Sequence, residues 1–189
     1  MSDNIHPNGY WIMEDKRYTF DKYLAREVGN FAIRNLVFDI IDVGCGNGAY
    51  TLFLRKYGIN CYGYDGNPFT GEITNSMCGI MDFSEPVTDI SPFDMVLCLE
   101  VAEHIPEEKE DVFINNIVSL SNRFIIISWA VEGQGGVGHV NCRNNDYVIE
   151  KMMIHNYKFK EEESSALRLS SRVSWFKNTL MVFESIEHD

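Results

Sequence analysis

Apolar residues along the chain fall into short continuous runs, separated by stretches in which they recur every three or four positions. The first run is Phe38-Asp39-Ile40-Ile41-Asp42-Val43, ended by a cluster of glycines. Asn60-Cys61-Tyr62-Gly63-Tyr64 is the second, stopped by Asp65-Gly66-Asn67-Pro68, a strong turn signal. A weaker third spans 77–81, and Phe93 to Leu99 and Phe124 to Trp129 are the fourth and fifth. Tyr157 to Lys160 and Thr179 to Phe183 supply the last two strands. Between the runs the spacing predicts helices: over 20–33 with Phe20, Leu24, Val28 and Phe31, and over 48–57 with Tyr50, Phe53, Leu54 and Tyr57. Phe113, Ile117 and Leu120 mark a third helix, and Val148, Ile149 and Met152 a fourth over 146–155. Apolar strands alternating with amphipathic helices predict an α/β fold, a mostly parallel seven-stranded sheet with helices on both faces. Residues 131–145 break the alternation with four glycines and several polar side chains. That texture predicts a loop following the fifth strand, a place where sites are commonly built.

The first turn carries the chemistry. Asp42-Val43-Gly44-Cys45-Gly46-Asn47-Gly48 joins a strand to a helix, so its glycines permit a sharp turn and its N–H groups can meet an anionic group. Asp65 follows Gly44 by 21 residues at the end of the second strand, where a carboxylate can accept from both hydroxyls of a ribose. The glycine spacing is not that of a dinucleotide fingerprint. Moreover, an acidic residue directly before the loop suits a sulfonium or ammonium better than a diphosphate.

Composition narrows this picture. At 189 residues with 45% hydrophobic content, the chain has material for one core and one domain. Sixteen Lys and Arg against 28 Asp and Glu give a formal charge of −12, which argues against a nucleic-acid partner. No run is long enough to span a membrane, so no membrane partner is expected. Residues 1–9 show neither a basic region nor an apolar one of the secretory kind. Five cysteines without a C-x-x-C pair fit a reduced, cytoplasmic setting.

With the glycine loop, Asp65, Asp82-Phe83 after the third strand and Leu99-Glu100-Val101-Ala102-Glu103-His104-Ile105-Pro106 after the fourth, residues 36–130 resemble the class I S-adenosylmethionine-dependent methyltransferases. The resemblance implies a Rossmann-like fold with S-adenosyl-L-methionine as cofactor. It implies that Asp42, Gly44, Cys45, Gly46, Asn47 and Gly48 lie against the methionine part, and that Asp65, Gly66 and Asn67 form the ribose corner. Asp82 would bond the adenine amino group with Phe83 beside the ring, and the backbone of Cys98, Leu99 and Glu100 would meet the methionyl amine. Gly9-Tyr10-Trp11, Ser128-Trp129-Ala130 and the 133–141 loop are similar to a narrower group of small, single-domain bacterial and viral-type methyltransferases. Some of these sit among genes for sugar modification.

On that resemblance the chain divides into a helical N-terminal lid (1–35), a cofactor-binding core (36–130), and an acceptor-side loop with C-terminal strands (131–189). His139 in the glycine-rich loop is the leading candidate for a general base, and His104 the second, with pocket closure as its other role. Glu100 and Glu103 would orient an acceptor or the cofactor amine, or start a helix. Gln134, Asn141 and Arg143 are acceptor-contact candidates. Tyr10, Trp11 and Tyr18 are lid candidates, with Trp175 and Phe176 on the acceptor side. His155 and His188 read as surface residues. No metal is expected, because Glu103, His104 and His139 show no H-x-x-x-H or paired-carboxylate spacing. The expected partner is a small hydroxylated molecule, a sugar or glycan precursor foremost, and a homodimer would complete so small a pocket. The competing readings are a nucleic-acid or protein methyltransferase and a non-catalytic S-adenosylmethionine-binding protein. Base N-methylating enzymes carry Asn/Asp-Pro-Pro-aromatic where this chain has Cys98-Leu99-Glu100-Val101.

Overall fold

The computed structural model describes residues 4–14 and 18–186. Seven strands form one sheet: β1 (Asp39–Val43), β2 (Asn60–Asp65), β3 (Gly79–Ile80), β4 (Phe93–Leu99), β5 (Ser121–Ser128), β6 (Tyr157–Phe159) and β7 (Leu180–Ser185). Their order is β3-β2-β1-β4-β5-β7-β6. All pairs are parallel except those of β7, which runs antiparallel to both β5 and β6. The order reverses between β1 and β4, and a crevice opens at such a point beyond the carboxyl ends of the strands.

Helices cover both faces, which is why the central strands are apolar almost without alternation. Ile40, Met95, Leu97, Phe124 and Ile126 face one layer, built from α1 (Lys22–Arg34), α2 (Ala49–Lys56) and α6 (Glu161–Ser170). Ile41, Val43, Val96, Ile125 and Ile127 face the other, built from α4 (Glu110–Ser119) and α5 (Asn145–Ile154). Two single-turn helices, α3 (Thr70–Ile73) and α7 (Phe176–Thr179), complete the set, with 3-10 turns at 102–104 and 107–109. No helix among the described residues is long and apolar enough to cross a membrane.

The predicted strands and helices are found within a few residues of their expected places. The third strand is only two residues long. The spacing of apolar positions did not reveal α6, because only Ser164 and Leu167 of its ten residues are buried. It begins at a run of three glutamates, a favourable charge for a helix start. The helix expected over 20–33 starts two residues late because Asp21 caps it, its side chain accepting from Tyr23 N and Leu24 N. This helix packs Leu24, Ala25 and Val28 into the core, and the N-terminal residues that line the cleft are Asn8, Gly9, Tyr10, Trp11, Tyr18 and Thr19, none of them in α1.

Asp21 does more than cap. Its second carboxylate oxygen accepts from the Ser171 hydroxyl (2.7 Å) and from the backbone of Arg172 (2.6 Å) and Val173 (3.1 Å), tying α1 to the segment ahead of α7. Burial works against ionisation, but these bonds outweigh it and hold the carboxyl below its usual range. The Asp21 contribution to stability is therefore present above its unfolded-state value and lost as pH falls through the folded one. Asp21→Ala removes a cap and several charge-assisted bonds, and urea unfolding at pH 7 is expected to show a loss of about 2–4 kcal/mol. Asp21→Asn should retain part of it.

Candidate active site

Every parallel strand that ends at the reversal point delivers a polar or acidic residue to one cleft of about 380 Å3. The turn after β1 is built on Gly44, Gly46 and Gly48, all with positive φ. At Gly44 a side chain would also strike Val101, whose methyl lies 2.3 Å from the position of a Cβ, so only glycine lets this loop approach the residues after β4. Asp42, at the end of β1, is buried and accepts from the Thr51 hydroxyl at 2.6 Å. Asp65, at the end of β2, takes one N–H on each oxygen, from Gly46 and Asn67 at 2.9 Å, which leaves each oxygen a lone pair for a diol.

Asp82 accepts from Ser84 on one oxygen (2.9 and 2.7 Å) and from the Asn8 amide on the other (2.5 Å). Asn8 in turn accepts from Lys109 (2.8 Å), so an N-terminal strap is fastened across the cleft. The strap closes on itself through the Ile5–Trp11 bridge and the stacked rings of His6 and Tyr10, 4.4 Å apart. Gly9 rests on the His104 carbonyl, where a Cβ would come within 2.0 Å of the oxygen. Tyr10, Trp11 and Tyr18, the lid candidates, all line the cleft.

Beyond β4 the chain turns sharply at Glu100, whose φ of 55° is a left-handed value unusual for a non-glycine residue. Its N–H donates to the Ser128 hydroxyl at 2.9 Å, and one carboxylate oxygen accepts from Gln134 at 2.8 Å. Glu103 is fully buried, and neither of its oxygens accepts a hydrogen bond of ordinary geometry. Desolvation, then the neighbouring Glu100 carboxylate, push its carboxyl well up. His104 is pushed down to about 4, first by burial and then by His139. The two imidazoles meet edge to face with centroids 5.0 Å apart, and His139 Nε2 lies 3.9 Å from Glu103 Oε1. One donor atom from each of Glu103, His104 and His139 lies within 4.8 Å of the others. Tertiary packing brings together three residues whose spacing in the sequence gave no metal signal.

Most of the expected cofactor residues line the cleft: Asp42, Gly44, Cys45, Gly46, Asn47, Asp65, Gly66, Asp82, Phe83, Leu99 and Glu100. Gly48, Asn67 and Cys98 do not. Gly48 caps α2, Asn67 holds Met13 O and Phe69 N behind the turn, and Cys98 is sealed inside β4. Gln134 and His139 face the cleft, as do Trp175 and Phe176. Asn141 and Arg143 do not, because both bind the Glu110 carboxylate (2.9 and 3.0 Å) and serve to fix the loop. Glu110, which also accepts from Tyr147, is a hub that the sequence alone did not single out. His155 ends α5 away from the site, and His188 lies outside the described residues.

A family profile described as "Methyltransferase domain" matches residues 41–119, the stretch holding the glycine loop, Asp65, Asp82 and the segment after β4. Over that stretch the chain matches the methyltransferase-domain family, in keeping with its resemblance to the class I S-adenosylmethionine-dependent methyltransferases. It is similar to a probable tocopherol O-methyltransferase of Oryza sativa subsp. japonica, at 31% identity over 48% of this chain and 28% of the relative. It is also similar to a magnesium-protoporphyrin O-methyltransferase of Synechocystis, at 28% identity over 62% of this chain and 54% of the relative. The chain thus spans about a quarter and about half of these curated relatives. A magnesium protoporphyrin IX methyltransferase from Synechocystis PCC 6803, solved with bound S-adenosylhomocysteine, superposes with a TM-score of 0.64 over 85% of this chain and 81% of that one. At 15% identity that likeness shows the fold.

The charge of the cleft is suited to S-adenosylmethionine. Asp42, Asp65, Asp82, Glu100 and Glu103 line it, and no lysine or arginine does so among the described residues. A ligand carrying a sulfonium and an ammonium against one carboxylate complements that charge. Burial pushes the Asp42 carboxyl up to about 6 against the bond from Thr51, and burial raises Asp65 also. For Asp42 the sign follows directly: the protonated form favours the ligand-free fold, fully below the unfolded value and no longer once pH has risen through about 6. A cationic ligand reverses that preference by favouring the ionised acid. S-adenosylmethionine affinity, measured by calorimetry, should therefore increase up to about tenfold between pH 5 and 7. Asp42→Asn should flatten that dependence.

Proposed function

We propose that this methyltransferase transfers a methyl group to an oxygen of a small, uncharged or cationic acceptor. The observation that carries the reading is the cleft itself, in which the acids suited to S-adenosylmethionine and the paired imidazoles of His104 and His139 share one wall. When bound, S-adenosylmethionine supplies an electrophilic methyl on a sulfonium, displaced in line. The protein's share of the work is alignment, exclusion of water and handling of the acceptor's proton. His139 donates its Nδ1–H to Gln134 O (3.2 Å), which leaves Nε2 as the basic atom on the cleft side. His104 does the same with Gly138 O (3.1 Å), and its lowered pKa keeps it neutral.

Two features support a small acceptor over a macromolecule. The strap and the 131–140 loop narrow the cleft, and its acidic lining repels phosphates. Trp175 contributes an indole face, and its buried Nε1–H has no partner among the described residues, so it is available to an acceptor oxygen. The expectation of a sugar gains no support from the relatives, whose names give a tocopherol and a magnesium porphyrin. Aromatic walls at Tyr10, Trp11, Tyr18 and Trp175 suit a flat, partly apolar hydroxylated molecule at least as well.

The test is to incubate the protein with methyl-labelled S-adenosylmethionine and a panel of phenols, porphyrin carboxylates, nucleotide sugars and tRNA. Label on a small oxygen acceptor is expected. Label on tRNA, or cofactor binding without any transfer, would displace the reading. Once an acceptor is found, His139→Ala should lower kcat on the order of a hundredfold or more, with little change in S-adenosylmethionine affinity.

A further inference from the structure

Against the wall that carries the two imidazoles, we infer that Glu103, His104 and His139 form a binding site for one divalent cation of the manganese-to-zinc class, with Glu100 as its neighbour. The inference rests on the O-methyl transfer reading for its purpose, while the site itself stands on its own geometry. Glu103 is the decisive residue. Its side chain is fully buried, neither oxygen accepts a hydrogen bond of ordinary geometry, and one lies 3.9 Å from the Nε2 of His139. A buried carboxylate without a well-formed hydrogen bond is costly, and proteins seldom leave one unexplained. Glu100 sharpens the problem, because its Oε1 is also buried and unpartnered beside the same group. No lysine or arginine among the described residues lines the cleft to offset these acids.

The histidines are oriented as ligands. Each places Nδ1 against a backbone carbonyl, Gly138 O for His104 and Gln134 O for His139. A carbonyl only accepts, so Nδ1 carries the proton and Nε2 keeps its lone pair. Fixing a ligating imidazole through its other nitrogen is the usual arrangement at metal sites. Donor atoms held at about 2.1 Å from one ion lie roughly 3–4 Å apart. The three here lie within 4.8 Å of one another, so closure on an ion needs only a small movement. One carboxylate and two imidazoles leave coordination positions open, and nitrogen with oxygen donors selects a first-row ion over calcium.

An ion so placed gives the acceptor oxygen an open position and makes its hydroxyl more acidic. The proton passes to water, the oxygen forms the new bond to the methyl carbon, and the carbon–sulfur bond breaks with its electron pair returning to sulfur. His139 then acts as a ligand. The two roles of His139 separate cleanly: a base is indifferent to chelators, whereas a ligand is not.

The experiment titrates Mn2+ into the full chain, stripped by chelator and saturated with S-adenosylhomocysteine, and follows the free ion by electron paramagnetic resonance, with Zn2+ in competition. One ion per chain is expected, weakened at least about tenfold in Glu103→Gln and in His139→Ala, with methyl transfer lost to chelator and restored by Mn2+. His139 lies in the loop and not in the core, so His139→Ala decides the matter if Glu103→Gln does not fold. No binding of either ion at millimolar concentration overturns the site and leaves Glu100 and Glu103 sharing a proton; equal affinity in His139→Ala overturns it too. A protein that binds the homocysteine but no metal refutes this inference alone. One that binds metal but neither the homocysteine nor S-adenosylmethionine refutes the proposed function and leaves the site standing.

Discussion

Concentrated negative charge in a space that water enters poorly is the constraint on which this protein turns. Five carboxylates line one cleft at the carboxyl edge of the sheet. Each is dealt with differently. Asp65 is held by backbone N–H groups, Asp82 by Ser84 and Asn8, and Asp42 by Thr51. Glu100 has Gln134 on one oxygen, and Glu103 has nothing of ordinary geometry. The series runs from satisfied to orphaned, from Asp65 to Glu103 beside the imidazoles. Satisfied acids are built to accept hydroxyl and amine donors, whereas orphaned ones call for positive charge.

The walls of the cleft depend on contacts well away from it. The loop that carries His139 is fixed after that residue by Glu110, through Asn141 and Arg143, and by the Glu103 carbonyl, which accepts from Val140 and Asn141. Trp129 completes the clasp by donating to Asn141 O at 2.6 Å. The polar residues of this loop thus divide into those that hold its base and those, Gln134 and His139, that face the ligand side. The strap plays the matching part on the opposite wall, held by Asn8 and by the seating of Gly9 on the His104 carbonyl.

How much of this the sequence disclosed follows from the range of each interaction. The strands were legible because both faces of the sheet are covered, which leaves runs such as Phe124 to Ile127 without polar interruption. The glycine loop and Asp65 were legible because a turn and the strand end after it are local features with a fixed separation. Helix α6 was not, since its burial rests on two residues. The anchoring role of Asn141 and Arg143 was hidden for a different reason. Their partner, Glu110, lies some thirty residues earlier, and nothing near an asparagine or an arginine in the chain tells whether it faces a ligand or another side chain. The meeting of Glu103, His104 and His139 belongs to the same class, because β5 and its loop must fold back over the end of β4 before the two histidines are neighbours.

The placement of β7 has a consequence for how the chain comes together during synthesis. It lies between β5 and β6 and pairs with both, so β6 has no place in the sheet until a strand later in the chain exists. The parallel half, β3-β2-β1-β4-β5, can assemble as it leaves the ribosome, with the glycine loop, Asp42 and Asp65 already in place. The far edge must wait. Until β7 arrives, the apolar β5 flank, Phe124 to Ile127, stands as an open edge with unpaired backbone groups, the most adhesive surface the nascent protein presents.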